Sequence, residues 1–289
     1  MSLMPSALSA QAFRFDNWSG ASPSSTMGTS ITPGTSGAEG SWTAVAGGAN
    51  LTSDVYLVSF QPHAGATTSV DKSHLFDIGV DPAGGTSYTE VISNIVAGHS
   101  CAMNSAPAQG NIAFLFPIFI KAGSSVAVRC QGSHSTPGTV RVIMSFRGQP
   151  ASPHQLPVGA YAETIGAITG TQGVTFTPGN GTEGAWELLG TTTRPCWWWQ
   201  LAFQVSNAAM TAEYCVIELA HGDASNKHLM IKLLKCNLTT EATGVPVNGN
   251  IDYGSCYWPL PAGTNIYVRG KADSAPDTGY NAVAIGIGG

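Results

Sequence analysis

The sequence predicts an all-β protein built from two tandem, internally duplicated β-sandwich domains, jelly-roll-like in topology. Three observations predict this. One set of motifs occurs twice in the same order, apolar residues alternate with a period of two, and glycine and proline punctuate the chain at short intervals.

The duplication is read from collinear anchors. Thr32-Pro33-Gly34 through Glu39-Gly40-Ser41-Trp42 matches Thr177-Pro178-Gly179 through Glu183-Gly184-Ala185-Trp186 with one residue deleted. Ser59-Phe60-Gln61 then matches Ala202-Phe203-Gln204, and Phe116-Pro117 matches Trp258-Pro259. Ala122-Gly123-Ser124 through Arg129 matches Ala262-Gly263-Thr264 through Arg269. The endings agree too, with Val142, Met144, Phe146 and Gly148 opposite Val283, Ile285, Ile287 and Gly289. The offset stays between 140 and 145 residues throughout. The expected organisation is therefore an N-terminal arm over 1–13, a first sandwich over 14–148, a linker over 149–157 and a second sandwich over 158–289. Three prolines in the linker predict a short, stiff, extended connector.

Within each copy the periodicity is that of strands. Val140, Val142, Met144 and Phe146 alternate with Arg141, Ile143 and Ser145, and Ile266 and Val268 alternate with Tyr267 and Arg269. Val55 to Phe60 and Asn111 to Phe116 are apolar on both faces, which suits strands covered on both sides. His228 to Cys236 is the best helical candidate and reads equally well as a strand. About eight strands per copy with Gly/Pro turns between them make a two-sheet sandwich.

Composition narrows the function. Charged residues are only 10% of the chain and apolar residues 43%, so the polar surface is built from Ser, Thr, Asn, Gln and Gly. Such surfaces suit proteins that hide area in assemblies. A net charge of −5 with 12 scattered Lys and Arg offers no phosphate-tracking patch, so no nucleic-acid partner is expected. No apolar run approaches the roughly 18 residues of a membrane span, so no membrane partner is expected. Met1 to Gln11 lacks the basic and hydrophobic regions of a secretory signal, which predicts synthesis in a cytoplasm.

No constellation spells out a chemistry. The six cysteines do not recur between copies and form no C-x-x-C, so buried free thiols are expected rather than a disulfide framework. The seven histidines are scattered, and the closest pair, His221 and His228, lacks ligand spacing, so neither a metal nor a cofactor is expected. No nucleophile elbow, P-loop or dinucleotide fingerprint is present. Glu39 and Glu183 recur, as do Arg129 and Arg269. One carboxylate per copy does not make a glycosidase pair. The expectation is two equivalent structural ion pairs, Glu39–Arg129 and Glu183–Arg269. Trp42 and Trp186 also recur and are expected to anchor the cores. Trp197-Trp198-Trp199 has no counterpart in the first copy. Neighbouring strand residues face opposite ways, so at least one of the three must point outward. A subunit interface is the leading reading for it; other packing within the chain and stacking on sugar rings are the alternatives.

Pro117 to Arg129 and Pro259 to Arg269 resemble a pattern of tailed-bacteriophage structural proteins, Pro-x-x-x-Pro-Ala-Gly-(Ser/Thr)-x-(Ile/Val)-x-x-Arg. The second copy keeps Pro261-Ala262-Gly263-Thr264 with Ile266 and Arg269, while the first has Lys121 in place of the proline. The resemblance spans about a dozen residues in each copy. It implies a non-enzymatic component of a virion, made in the host cytoplasm, in a decoration, neck-collar or tail position. The expected partners are copies of itself, as a homo-oligomer with a trimer as the first guess, and other capsid, neck or tail proteins. The alternative is a module of a phage adsorption apparatus that binds host glycan.

Overall fold

The computed structural model describes residues 14–19, 28–64, 72–99, 114–132, 139–148, 158–168, 173–205, 214–236, 255–273 and 280–289. The arm over 1–13 and the linker over 149–157 lie outside the described residues. The first copy contains β1 (Arg14–Ser19), β2 (Thr29–Ile31), β3 (Thr43–Ala46), β4 (Leu57–Ala64), β5 (Lys72–Asp81), β6 (Thr89–His99), β7 (Phe114–Phe116), β8 (Ser125–Gly132) and β9 (Val140–Gly148). The second contains β10 (Tyr161–Ile165), β11 (Val174–Phe176), β12 (Gly179–Asn180), β13 (Glu187–Thr191), β14 (Cys196–Val205), β15 (Tyr214–Gly222), β16 (Lys227–Cys236), β17 (Ser255–Leu260), β18 (Asn265–Ala272) and β19 (Tyr280–Gly288). Among the described residues the helical content is one 3-10 turn, Gly48–Asn50. His228 to Cys236 is strand, because Ile231 and Leu233 alternate into the core while Lys232 points out.

Each copy is a jelly roll. In the first, one sheet runs β1-β9-β4-β7 and the facing sheet runs β3-β8-β5-β6. The second repeats this order, as β10-β19-β14-β17 against β13-β18-β15-β16. The short β2 and β11 add to β9 and β19 in equivalent places. Phe60 of β4 meets Phe76 of β5 edge-on across the first sandwich, with ring centroids 5.3 Å apart. Such a pair adds about 1 kcal/mol to the area it buries.

The recurring glycines have a backbone cause. Gly123 and Gly263 both take φ of +82°, where a side chain is disfavoured. Their amides donate to the carbonyls of Leu51 and Thr192, which closes the turn into β8 and β18. Gly40 and Gly184 instead lie against backbone: a Cβ on either would come within 2.6 Å of the carbonyl oxygen of Thr32 or Thr177. The Pro-Ala-Gly and Glu-Gly motifs are thus marks of turn geometry in this fold.

The two jelly rolls are fused. β10 of the second copy runs parallel to β6 of the first, with Ala162 opposite Ile92, and this makes one nine-stranded sheet from halves of both copies. The Thr164 hydroxyl donates to the Ser93 carbonyl at 2.8 Å across the joint. The amide of Phe119 donates to the Gly159 carbonyl, and the amide of Gly159 to that of Pro117. β19 is buried on both faces. Ala282 and Ala284 face the second core, whereas Ile285 and Ile287 pack with the first. Val283 and Ala202 meet Leu75 and Val96 of the first copy in a small apolar cluster between the two. With this much shared core, calorimetry should give one unfolding transition whose van't Hoff and calorimetric enthalpies agree. Two separable transitions would mean that the copies are independent.

Candidate functional site

The three tryptophans stand on β14, inside the seam. Trp199 is fully buried in the second core, and its indole Nε1 donates to the Trp258 carbonyl at 2.9 Å. Trp197 and Trp198 pack against the core of the first copy. Gln200, on the same face as Trp198, donates from Nε2 to the Leu115 carbonyl at 3.1 Å. The run therefore serves packing within the chain, between its two copies. Trp197 and Trp198 pack between the two copies of one polypeptide, and Trp199 packs within the second core. Trp199 also explains a glycine: a Cβ on Gly286 would come within 2.9 Å of its ring.

The second candidate is a cluster that occurs once in each copy, on the outer face of the second sheet. In the first copy Arg129 on β8 stacks on Trp42, with 4.5 Å from Cζ to the ring centroid. Its Nε bonds Asp77 at 2.8 Å and its Nη2 bonds Glu90 at 2.7 Å, while Nη1 pairs with Glu39. The expected Glu39–Arg129 pair is present, within a larger set. Asp77 is almost fully buried and also accepts the amide of Asn94 at 2.7 Å. Burial opposes the charge on Arg129, but its bond to Asp77 and the three carboxylates hold the guanidinium above its usual range. Burial, then the charge of Asp77, raises Glu90 above the ordinary carboxylate value. The oxygens of Glu39, Asp77 and Glu90 lie within 4.8 Å of one another, a grouping that could hold a cation. Arg129 already bonds all three.

In the second copy Arg269 on β18 stacks on Trp186 at 4.4 Å, and its Nε bonds Glu218 on β15 at 2.6 Å. Lys232 on β16 bonds the other oxygen of Glu218, also at 2.6 Å. The expected Glu183–Arg269 pair does not form: Glu183 is exposed, and no ion pair joins it to Arg269. The loop that carries Glu183 is one residue shorter than the loop that carries Glu39. In the first copy the longer loop bridges Glu39 to Gln131, two residues from Arg129, whereas no such bridge holds Glu183. Burial opposes ionisation of Glu218, but the bonds from Lys232 and Arg269 prevail and lower its pKa. Trp42 and Trp186 support arginines on the sheet surface instead of anchoring the cores.

Sequence reasoning missed Asp77 and Glu218, the true equivalents. Their signal was in reach. His74 and Cys215 occupy matching positions, opposite Gly132 and Ala272, and three residues on from each stands the acid that faces the arginine. Four thiols are free: Cys130, Cys196 and Cys215 are buried and Cys256 partly so. Burial pushes Cys196 and Cys215 up to about 12 and Cys256 to about 11, so all four are inert at neutral pH. The side chains of Cys101 and Cys236 lie outside the described residues. His221 and His228 do face each other across β15 and β16, with rings stacked at 5.1 Å, but no third ligand group joins them among the described residues.

No family model matches the chain, and no curated protein matches it. Among solved structures it is similar to PNGF-II, at 8% identity and TM-score 0.37, covering 91% of this chain and 66% of that one. It is similar to PNGase F, a glycosylasparaginase from Flavobacterium meningosepticum, at 10% identity and TM-score 0.35, covering 96% and 94%. The tandem CBM22-1–CBM22-2 domains of Paenibacillus barcinonensis Xyn10C align at 10% identity and TM-score 0.26, covering 96% and 92%. Likenesses this remote assign no activity to the chain.

Glu218→Gln should destabilise the protein by roughly 2 kcal/mol at pH 7, since it removes a largely buried, doubly bonded carboxylate. Because folding lowers the pKa of Glu218, its contribution is present above the unfolded value and is lost as pH falls through the folded one. Denaturant melts should therefore show the gap between variant and wild type closing on the acid side. Gly286→Val should cost about 3 kcal/mol by overpacking against Trp199, and Trp199→Ala made in the same chain should relieve part of that loss. Thermal melts that give strictly additive effects would contradict the contact.

Proposed function

We propose that this chain is a non-enzymatic structural component of a virus particle of the tailed-bacteriophage type. It assembles with copies of itself and with neighbouring particle proteins through the outer surfaces of its jelly rolls. The observation that carries this reading is the fusion of two jelly rolls through a shared sheet and a shared strand, which makes a stiff two-domain block suited to building. Jelly rolls recur in viral capsid proteins, as they do in lectins and cupins, so the fold alone does not choose among these. The Pro-Ala-Gly resemblance and the low charge favour the particle.

The assembly surface is read from the apolar residues left uncovered. Tyr257 and Trp258 are 55% and 38% exposed on β17, the edge strand of the nine-stranded sheet. An aromatic edge strand is a ready docking site for another chain. A trimer would present six jelly rolls from three chains, and closed rings of this kind are the usual outcome for homo-oligomers. The glycan-binding alternative no longer rests on the tryptophan run, which the seam absorbs. It rests on a hollow of about 370 Å³ lined by Trp186 and Arg269.

Light scattering on a sizing column tests the reading. The expected mass is about three times the 29.8 kDa chain, and Tyr257→Glu with Trp258→Glu should return it to one. A wild-type protein that stays monomeric at high concentration and is absent from purified particles would overturn the proposal.

A further inference from the structure

The two copies of the arginine cluster differ in one respect that points to a ligand. In the first, every guanidinium nitrogen of Arg129 is matched to a carboxylate of the same chain. In the second, only Nε of Arg269 is matched, to Glu218. No hydrogen bond or ion pair joins its two terminal nitrogens to any described residue. The residues that would have filled them are known from the register. Asp77 faces Arg129 as Glu218 faces Arg269. Two residues on, Gly79 lies opposite Glu90 and Ala220 lies opposite Leu229. Leu229 thus stands where the first copy has Glu90, and Glu183, the counterpart of Glu39, is turned to solvent.

A hollow of about 370 Å³ occupies the vacated place. It is lined by Arg269, Trp186, Glu218 and Leu229, with Ser225 and Lys227 from the β15–β16 turn. Its volume falls in the range of small-ligand pockets. Lys227 lies over the Tyr267 ring at 4.5 Å and donates to the carbonyls of Asp223 and Ala224, so its charge is held at the rim. Lys232 and Arg269 both bond the buried Glu218, so two cations meet one carboxylate and Lys227 adds a third positive charge at the rim.

We propose that this hollow binds the carboxylate of an acidic sugar, a uronic acid in type. The carboxylate takes the two terminal nitrogens of Arg269 in the forked geometry that guanidinium favours. Glu218 and Ser225 are placed to bond ring hydroxyls, and Leu229 and Trp186 offer apolar surface to the C–H face of the ring. The small volume and mixed lining, with an indole and a leucine beside the arginine, suit a single ring better than an extended acidic peptide. This site goes beyond the assembly role and does not depend on it.

The experiment is titration of the full chain with D-glucuronate, D-glucose and a short glutamate peptide, followed by calorimetry and by the indole fluorescence signal. Saturable binding of glucuronate without binding of glucose is expected. Leu229→Glu restores the arrangement of the first copy by supplying the missing carboxylate from within. It should weaken glucuronate binding by about tenfold or more while leaving the melting temperature equal or higher. Arg269→Gln should weaken it as much, and because Lys232 still bonds Glu218 the variant is expected to fold. Glucuronate binding that survives in Leu229→Glu, or no binding by wild type, would overturn the proposal. Binding of the peptide in place of the sugar would overturn it in favour of an acidic protein segment.

Discussion

A strand that belongs to two cores at once governs this molecule. β19 has no solvent face. One side of it must fit the interior of the second jelly roll and the other must fit the first. Its sequence meets both demands by dividing residue size between its faces, with Ala282, Ala284 and Gly286 toward the second core and Val283, Ile285 and Ile287 toward the first copy. The small residues leave room for the indole of Trp199, and the large ones fill the seam beside Trp198. The tryptophan run, the glycine-rich end of the chain and the fused sheet are consequences of this double burial, and a change of one methyl group on either face reaches both domains.

The duplicated arginine clusters give an internal comparison that single domains lack. Both copies keep a guanidinium stacked on a tryptophan and bonded to an acid on the neighbouring strand. The partner strands then diverged. The first copy surrounds its arginine with three acids, and burial, then the charge of Asp77, keeps Glu90 reluctant to ionise. The second carries Lys232 on Glu218 and has Leu229 opposite Ala220, where the first has an acid, and the local charge is reversed. An ancestral device that ties a sheet together has become closed in one half and open in the other.

Much of the architecture was legible in the sequence because it rests on local rules. Period-two alternation gives strands, and repeated turn glycines such as Gly123 and Gly263 give equivalent loops. Collinear motifs give the duplication. The site was less legible. Glu39 and Glu183 recur as letters and both are exposed, but only Glu39 reaches its arginine. Asp77 and Glu218 do the same work under different letters, so identity matching passes over them and strand register finds them. The tryptophan run was correctly judged to need two faces. That the second face belonged to the same chain depends on how the copies pack, and no local pattern encodes that.

The joint between the copies is directional, since strand β6 of one meets strand β10 of the other, and these are not equivalent strands. The unused counterparts are β16 at one end of the chain and β1 at the other, both lying at sheet edges. The same handshake made between chains would be head-to-tail, the kind of contact that grows a fibre wherever its rotation does not close a ring. β16 carries Lys227, Lys232 and Lys235 along its length, whereas β6 has a single charged residue, Glu90. Lysines on an edge strand act as gatekeepers against such pairing. The lysines that distinguish β16 from its counterpart β6 thus also disfavour a repeat of this joint from one molecule to the next.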